Sequence, residues 1–179
     1  MSVFTDHTIE SAPPAVRRTM TGTMRELGFV PVAMARMAGS PELLDGFSRL
    51  NGIFEDSSLD PLAREVVVMT VATRNGCHVC VAMHTARLTA LGAGTAVIAA
   101  LRAAAPLADE RLEALRVFTI RVLDTAGDVG ADALDEFLRH GYTTRAALDV
   151  VLGIGTYTMS TLANRLTGAP VDTQLIAFA

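Results

Sequence analysis

Both cysteines of the chain lie close together in a short segment that also contains two histidines. The segment NGCHVCVAMH places Cys77 and Cys80 in a CxxC spacing, with His78 between them and His84 four residues after the second cysteine. A cysteine thiolate is a nucleophile, a metal ligand and a partner in disulfide exchange. Three interpretations therefore compete: a reactive thiol pair with a proton relay, a set of metal ligands, or two core cysteines.

A helix over this segment sorts the side chains by direction. Successive helical residues turn by about 100°, so Cys77, Cys80 and His84 share one stripe, whereas His78 points elsewhere. Both thiols lie in the first turn, where free N–H groups and the helix dipole favour a thiolate. Cys80 has the better position for a nucleophile, because His84 lies one turn later and can accept its proton.

Glu65 precedes Cys77 by twelve residues, in a helix predicted over residues 61–74. If this helix and the next, over residues 77–91, form a tight antiparallel hairpin, Glu65 and His84 lie at similar distances from the turn. About nine residues of helix span roughly 13 Å on either side. A carboxylate placed there would fix the tautomer of the imidazole. Carboxylate, imidazole and two thiols then form a proton-transfer chain.

Other interpretations of these residues stay open at this point. The two thiols and the imidazole are three zinc-type ligands on one face, but no second Cys or His pair follows to complete a structural site. Cysteines are also often inert core residues. For Glu65, the alternative is an ordinary ion pair with Arg64 or another neighbour. We predict a catalytic set of Cys77, Cys80, Glu65 and His84, without a metal.

The composition predicts an all-α fold, a compact bundle of about eight helices in one domain over residues 1–179. Half of the residues are hydrophobic, Ala is abundant and Trp is absent, which favours packed helices. No window alternates between apolar and polar residues as a strand would. Ser40-Pro41 and Asp60-Pro61 each predict a helix N-cap followed by a first-turn proline. The CxxC pair lies at the start of a central helix.

The most apolar stretch, residues 150–163, predicts a buried helix rather than a membrane span. It is shorter than about 18 residues, and it contains Gly153 and Gly155, which close helix packing explains better than a dinucleotide-binding loop does. The start of the chain has neither the basic residues nor the apolar core of a signal peptide. We therefore expect no membrane association and a cytoplasmic location, where a disulfide is normally transient.

Charge and hydropathy constrain the partners. The net charge is −4 and the basic residues form no stripe, so we expect no nucleic-acid partner. The mean hydropathy of +0.37 is high for a soluble monomer and favours a self-interface in a homo-oligomer.

The spacing of Glu65, Cys77, Cys80 and His84 resembles the core motif of the AhpD-like proteins in the carboxymuconolactone decarboxylase superfamily. The resemblance is specific over residues 59–92 and includes LDPLAREVVVMTVATRNGCHVCVAMHT. The later segment HGYTTRAALDVVLGIGTYTMSTLANRLTG also resembles the C-terminal helical region of members of this group. The resemblance implies an all-helical AhpD-like fold that assembles as a dimer, trimer or hexamer.

The resemblance also implies a thiol-dependent peroxidase acting on alkyl hydroperoxides. At the matching positions, Cys80 attacks the peroxide and becomes a sulfenic acid, and Cys77 resolves it as a disulfide. Glu65 and His84 form the relay that activates Cys80. The redox-active disulfide is the only redox group implied, with no further cofactor, and a thiol or a lipoyl-type carrier is the implied reductant.

The motif departs from the founding peroxidase of the group at one position. There a histidine immediately precedes the second cysteine, whereas this chain has Val79 at that place and His78 one residue earlier. The decarboxylases that name the superfamily lack the thiol pair, so a lactone decarboxylase is disfavoured. The alternatives to a peroxidase are a general thiol-disulfide oxidoreductase and a non-enzymatic redox-sensing protein.

Overall fold

The computed structural model describes residues 2–179, and over that range every regular element is a helix. The elements in chain order are α1 (Pro14–Leu27), α2 (Val32–Met37), α3 (Pro41–Glu55), α4 (Pro61–Arg74), α5 (His78–Ala90), α6 (Thr95–Arg102), α7 (Glu110–Asp124), α8 (Ala131–Arg139), α9 (Thr144–Thr167) and a C-terminal 3₁₀ helix (Thr173–Phe178). The all-α prediction is confirmed, and the nine α-helices of residues 2–179 are close to the predicted number of about eight.

Helices α3 and α4 begin at the predicted caps. The Ser40 hydroxyl accepts a hydrogen bond from the Leu43 N–H at 3.4 Å, and the Asp60 carboxylate accepts one from the Ala63 N–H at 2.9 Å. A proline follows each cap in the first helical turn. Proline has no backbone N–H, but an N–H at that position would have no acceptor within the helix, so no hydrogen bond is lost. The cap and the proline together fix where each helix starts.

Helix α4 lies in the middle of the protein. Residues 65–72 are all buried, and α4 packs against α5, α7 and α9. A helix that is apolar on every side must be enclosed by other elements. The one carboxylate within this buried run, Glu65, is therefore carried into the interior, where the side chain is 2% exposed.

Helix α9 is the longest element and packs against α2, α3 and α4. A Cβ added to Gly153 would lie 2.7 Å from the ring of Phe54 in α3, so a glycine is needed at this helix crossing. Within residues 2–179, α9 is the one helix whose length and composition would suit a membrane span, yet 44% of that apolar window is buried inside the fold. Its buried positions identify α9 as a core helix of the bundle.

The turn between α4 and α5 is fixed by Gly76. This residue has a φ of +62°, a left-handed conformation that favours glycine. The guanidinium of Arg165, from the end of α9, occupies the place that a Cβ would take, and it donates a hydrogen bond to the backbone oxygen of Asn75. The turn directs α5 back along α4 and brings its N-terminus against the end of α9.

Candidate active site

Cys77 and Cys80 form a disulfide at the N-terminus of α5, with their Cα atoms 5.3 Å apart. Cys77 is the N-cap residue, and its sulfur accepts a hydrogen bond from the Cys80 N–H at 3.3 Å. Both residues are buried, at 2% and 5% exposure. A disulfide across so short a loop constrains the unfolded chain little, so the pair is better suited to reversible oxidation than to stabilising the fold.

Glu65 and His84 meet across the α4–α5 hairpin. The Glu65 Oε2 atom lies 2.8 Å from His84 Nδ1, and both side chains are buried. An ionised carboxylate only accepts hydrogen bonds, so Nδ1 donates and Nε2 is the ring nitrogen left to take up a proton. Glu65, which lies about three helical turns before the end of α4, thus fixes the tautomer of an imidazole that lies one turn after Cys80.

Arg87 and Glu55 extend this pair into a chain of charges. Arg87 Nε donates to Glu65 Oε1 at 2.9 Å, and its Nη2 donates to Glu55 Oε2 at 2.6 Å. Burial opposes the charge on Arg87, but the two carboxylates outweigh it and raise the pKa of the guanidinium. Arg64, the neighbour considered for Glu65, pairs instead with Glu55 at 3.3 Å. The charge of the buried Glu65 carboxylate is therefore balanced by Arg87, and its other oxygen accepts a hydrogen bond from His84.

Tyr157 of α9 holds the imidazole from the other side. Its ring meets the His84 ring edge-on, with the centroids 5.2 Å apart, and its hydroxyl donates to Asn51 Oδ1 at 2.7 Å. Burial raises the pKa of Tyr157, and the carboxylates of Glu65 and Glu55 raise it further. The phenol therefore stays protonated. Its hydroxyl donates to Asn51, and its ring packs against the ring of His84.

Asn164 of α9 places an amide against the two sulfurs. Its Nδ2 atom lies 3.3 Å from Cys80 Sγ and 3.9 Å from Cys77 Sγ. The residue is 6% exposed, and within residues 2–179 its Oδ1 atom has no hydrogen-bond partner. A hydrogen bond to the charged form of a group favours that form, so this amide is positioned to stabilise a thiolate on Cys80.

His78 is exposed and lies away from the thiol stripe, as the helical geometry predicts. It lines a cleft of about 290 Å³ together with its neighbours in residues 76–79 and with Asn164, Arg165, Gly168 and Ala169. The cleft reaches Cys77.

Within residues 2–179, no group of three or more His, Cys, Asp and Glu side chains is arranged to hold a metal ion.

Residues 41–119, from α3 into α7, match the carboxymuconolactone decarboxylase family model. A peroxidase-related protein from Ralstonia eutropha, described as an alkylhydroperoxidase AhpD core, has a similar structure with a TM-score of 0.87 and 20% identity, over 99% of this chain and 95% of that one. The chain therefore has an AhpD-like fold, and the segment that matches the family model contains Glu65, both cysteines and His84.

Two further solved structures share the AhpD-like fold. A peroxidase-related protein from a Silicibacter species has a TM-score of 0.81 and 20% identity, over 96% of this chain and 92% of that one. The debrominase Bmp8 in complex with 2,3,4-tribromopyrrole has a TM-score of 0.78 and 16% identity, over 99% of this chain and 96% of that one. No curated protein matches the sequence. At these identities the similarity establishes the fold alone. The solved structures with this fold include both peroxidase-related proteins and a debrominase.

Sequence reasoning missed part of this candidate site. Arg87 was detectable in principle, because it follows His84 by three residues and so shares its face of α5. Asn164 and Tyr157 had no such signal, since each lies in α9, far along the chain from the CxxC pair. Their positions depend on how α9 packs across the α4–α5 hairpin.

Proposed function

We propose that this AhpD-like protein is a thiol-dependent peroxidase that reduces organic hydroperoxides. The observation that carries the proposal is the buried 2.8 Å hydrogen bond from His84 of α5 to Glu65 of α4, next to the Cys77–Cys80 disulfide at the N-terminus of α5. A nucleophile, a base one turn away and a third group that orients the base form the arrangement that activates a thiol.

In the proposed reaction, His84 Nε2 takes the proton of Cys80, and the thiolate attacks the terminal oxygen, the one that carries the hydrogen of the hydroperoxide. The O–O bond breaks, the alkoxide takes the proton from His84 and leaves as an alcohol, and Cys80 becomes a sulfenic acid. The thiolate of Cys77 then attacks the Cys80 sulfur, which expels hydroxide that is protonated to water. The two thiols lose two electrons, and the peroxide gains them.

Asn164 supports this reaction by donating Nδ2–H to Cys80 Sγ, at 3.3 Å in the disulfide form. The negative charge that Cys80 carries before the attack is then met by a buried amide donor as well as by the N-terminus of α5. Glu65 and Tyr157 act on His84 rather than on the sulfur, so we assign them the positioning of the base.

The composition and the resemblance to AhpD-like proteins support four further parts of the proposal: the cofactor, the reductant, the location and the oligomeric state. The redox-active disulfide serves without a further cofactor, and a thiol or lipoyl-type reductant regenerates it. We infer a cytoplasmic homo-oligomer, with neither nucleic acid nor membrane as a partner. The exposed apolar side chains on α9 support self-association, because Leu148 is 71%, Leu162 56% and Leu166 75% exposed.

Steady-state assays on the purified protein test this function against its alternatives. The wild type is supplied with a thiol reductant and with an alkyl hydroperoxide, a small disulfide or 2,3,4-tribromopyrrole, the last because a debrominase has this fold. We expect turnover with the hydroperoxide that is lost in Cys80→Ser. Turnover with the disulfide alone would favour a thiol-disulfide oxidoreductase, debromination alone would favour a dehalogenase, and no turnover would favour a redox sensor.

A further inference from the structure

The cleft beside the disulfide has features of a binding site for a charged small molecule. It lies between the N-terminus of α5 and the C-terminal end of α9, and its volume of about 290 Å³ is enough for a small thiol. Cys77 is among its lining residues and Cys80 is not. A molecule in the cleft therefore meets the disulfide on the Cys77 side.

Two basic side chains, His78 and Arg165, line the cleft. Arg165 is exposed and, within residues 2–179, donates to the backbone oxygen of Asn75 rather than to a carboxylate. His78 is exposed beside it, and the first turn of α5 leaves backbone N–H groups without intrahelical partners. No Asp or Glu is among the lining residues. Arg165 is thus the one permanently charged side chain among the lining residues.

A buried amide oxygen gives a second and independent indication of a ligand. Asn164 lines the cleft at 6% exposure, and its Oδ1 atom lacks a hydrogen-bond partner within residues 2–179. A buried acceptor without a donor costs free energy, and a ligand that brings an S–H, O–H or N–H group would satisfy it. A ligand suited to this cleft therefore combines a hydrogen-bond donor near Asn164 with an anionic group near Arg165.

We propose that this cleft binds the reductant of the disulfide, and that the reductant is a thiol bearing a carboxylate or another anionic group. The inference rests on the proposed thiol chemistry of the site and specifies its second substrate. The anionic group pairs with Arg165, and the thiol binds next to Cys77 with its S–H donated to Asn164 Oδ1. It loses this proton to water before it attacks the disulfide.

The exchange reaction balances without a further component. The thiolate of the reductant attacks Cys77 Sγ, a mixed disulfide forms, and the Cys77–Cys80 bond breaks with its electron pair on Cys80. Asn164 Nδ2, 3.3 Å from Cys80 Sγ, stabilises this leaving thiolate. A second thiol of the reductant, from the same or another molecule, displaces Cys77, so two reductant thiols become a disulfide and the protein gains two electrons and two protons.

The test uses the oxidised full-length protein and three small thiols that differ in charge: mercaptopropionate, mercaptopropionamide and mercaptoethylamine. The rate of loss of the Cys77–Cys80 disulfide is measured by rapid alkylation and mass spectrometry, and each rate is divided by the thiolate concentration of the reagent. In the wild type, we expect the anionic thiol to exceed the neutral one by about fivefold, with the cationic thiol slowest and the preference weakened by salt.

Three variants test whether Arg165 in the cleft causes the preference for the anionic thiol. Arg165→Met should remove it, Arg165→Lys should retain most of it, and Arg145→Met, an exposed arginine at the opposite end of α9, should leave it unchanged. Equal normalised rates in the wild type, or an unchanged preference in Arg165→Met, would overturn the inference. Because no peroxide is present, a charge preference in a protein without peroxidase activity would support the cleft and reject the proposed peroxidase.

Discussion

Glu65 is central to the proposed proton relay, because its two carboxylate oxygens contact His84 and Arg87 separately. Glu65→Gln keeps the side-chain shape and a hydrogen-bond acceptor but removes the charge that favours a proton on His84 during the reaction. We expect kcat/KM for an alkyl hydroperoxide to fall about 100-fold.

The matched control for this variant is Glu113→Gln. Glu113 also pairs with an arginine, since hydrogen bonding to Arg116 lowers the pKa of its carboxyl, but it lies on α7 away from the thiols. Its substitution should leave kcat/KM unchanged while removing a comparable ion pair. Equal losses in the two variants would show that Glu65 contributes only to stability.

Asn164 gives a second prediction at this scale. Asn164→Leu removes the amide donor at Cys80 Sγ while keeping a side chain of similar size. A hydrogen bond to a charged group contributes roughly 1.5–3 kcal/mol, so the ultraviolet titration of the Cys80 thiolate in a Cys77→Ser background should shift to higher pH by about one pH unit.

Thr156→Val is the control for the Asn164 titration. Thr156 is buried in the same helix, and its hydroxyl donates only to the backbone oxygen of Leu152. Removing that hydroxyl should leave the Cys80 titration where it is. A titration that is insensitive to Asn164→Leu would remove this residue from the thiolate site.

The positions of Glu65 and His84 could be predicted from the sequence, whereas the position of Asn164 could not. Glu65 and His84 lie in consecutive helices joined by a short turn, so helical periodicity alone places them at the same level. Asn164 comes from a helix that packs on this hairpin through contacts distant in sequence. No local pattern encodes such a crossing, so the donor to the Cys80 sulfur became visible only in the structure.

At the scale of the elements, the crossing of α3 and α9 depends on one glycine. A Cβ at Gly153 would lie 2.7 Å from Phe54 and 3.0 Å from Val67. Gly153→Ala should therefore lower the free energy of unfolding by about 1–3 kcal/mol through overpacking, measured by denaturant titration.

Gly52 of α3 is the control for this crossing, because a Cβ there has no heavy atom within 4 Å. Gly52→Ala should raise the stability by about 0.5–1 kcal/mol, since alanine has the better helix propensity. A Gly153→Ala variant as stable as the wild type would mean that α3 and α9 pack less closely than described.

The elements themselves were largely predictable. Caps such as Asp60 and turns such as Asn75-Gly76 are local signals, and the helices begin and end near them. One difference has a local cause: α5 begins at His78 instead of Cys77, because the Cys77 side chain accepts the Cys80 N–H as an N-cap does. The burial of residues 65–72 on every side of α4 was not predictable in the same way, since it depends on which helices surround α4.

At the scale of the whole molecule, the exposed apolar residues of α9 carry the prediction of self-association. We expect the wild type to be a homo-oligomer and the double variant Leu162→Glu/Leu166→Glu to have a lower mass by light scattering, because charges would replace exposed leucines. Val117→Glu, at a position that is 42% exposed on α7, is the control and should keep the wild-type mass. A monomeric wild type would contradict the prediction.

The most direct test of the proposed function is to find which sulfur a hydroperoxide oxidises. The reduced wild type, Cys77→Ser and Cys80→Ser are each treated with one equivalent of an alkyl hydroperoxide, and their cysteines are identified by mass spectrometry with a sulfenic-acid trap. We predict a Cys77–Cys80 disulfide in the wild type, a trapped sulfenic acid on Cys80 in Cys77→Ser, and an unmodified Cys77 in Cys80→Ser. Unmodified thiols in the wild type, or a sulfenic acid on Cys77, would contradict the account.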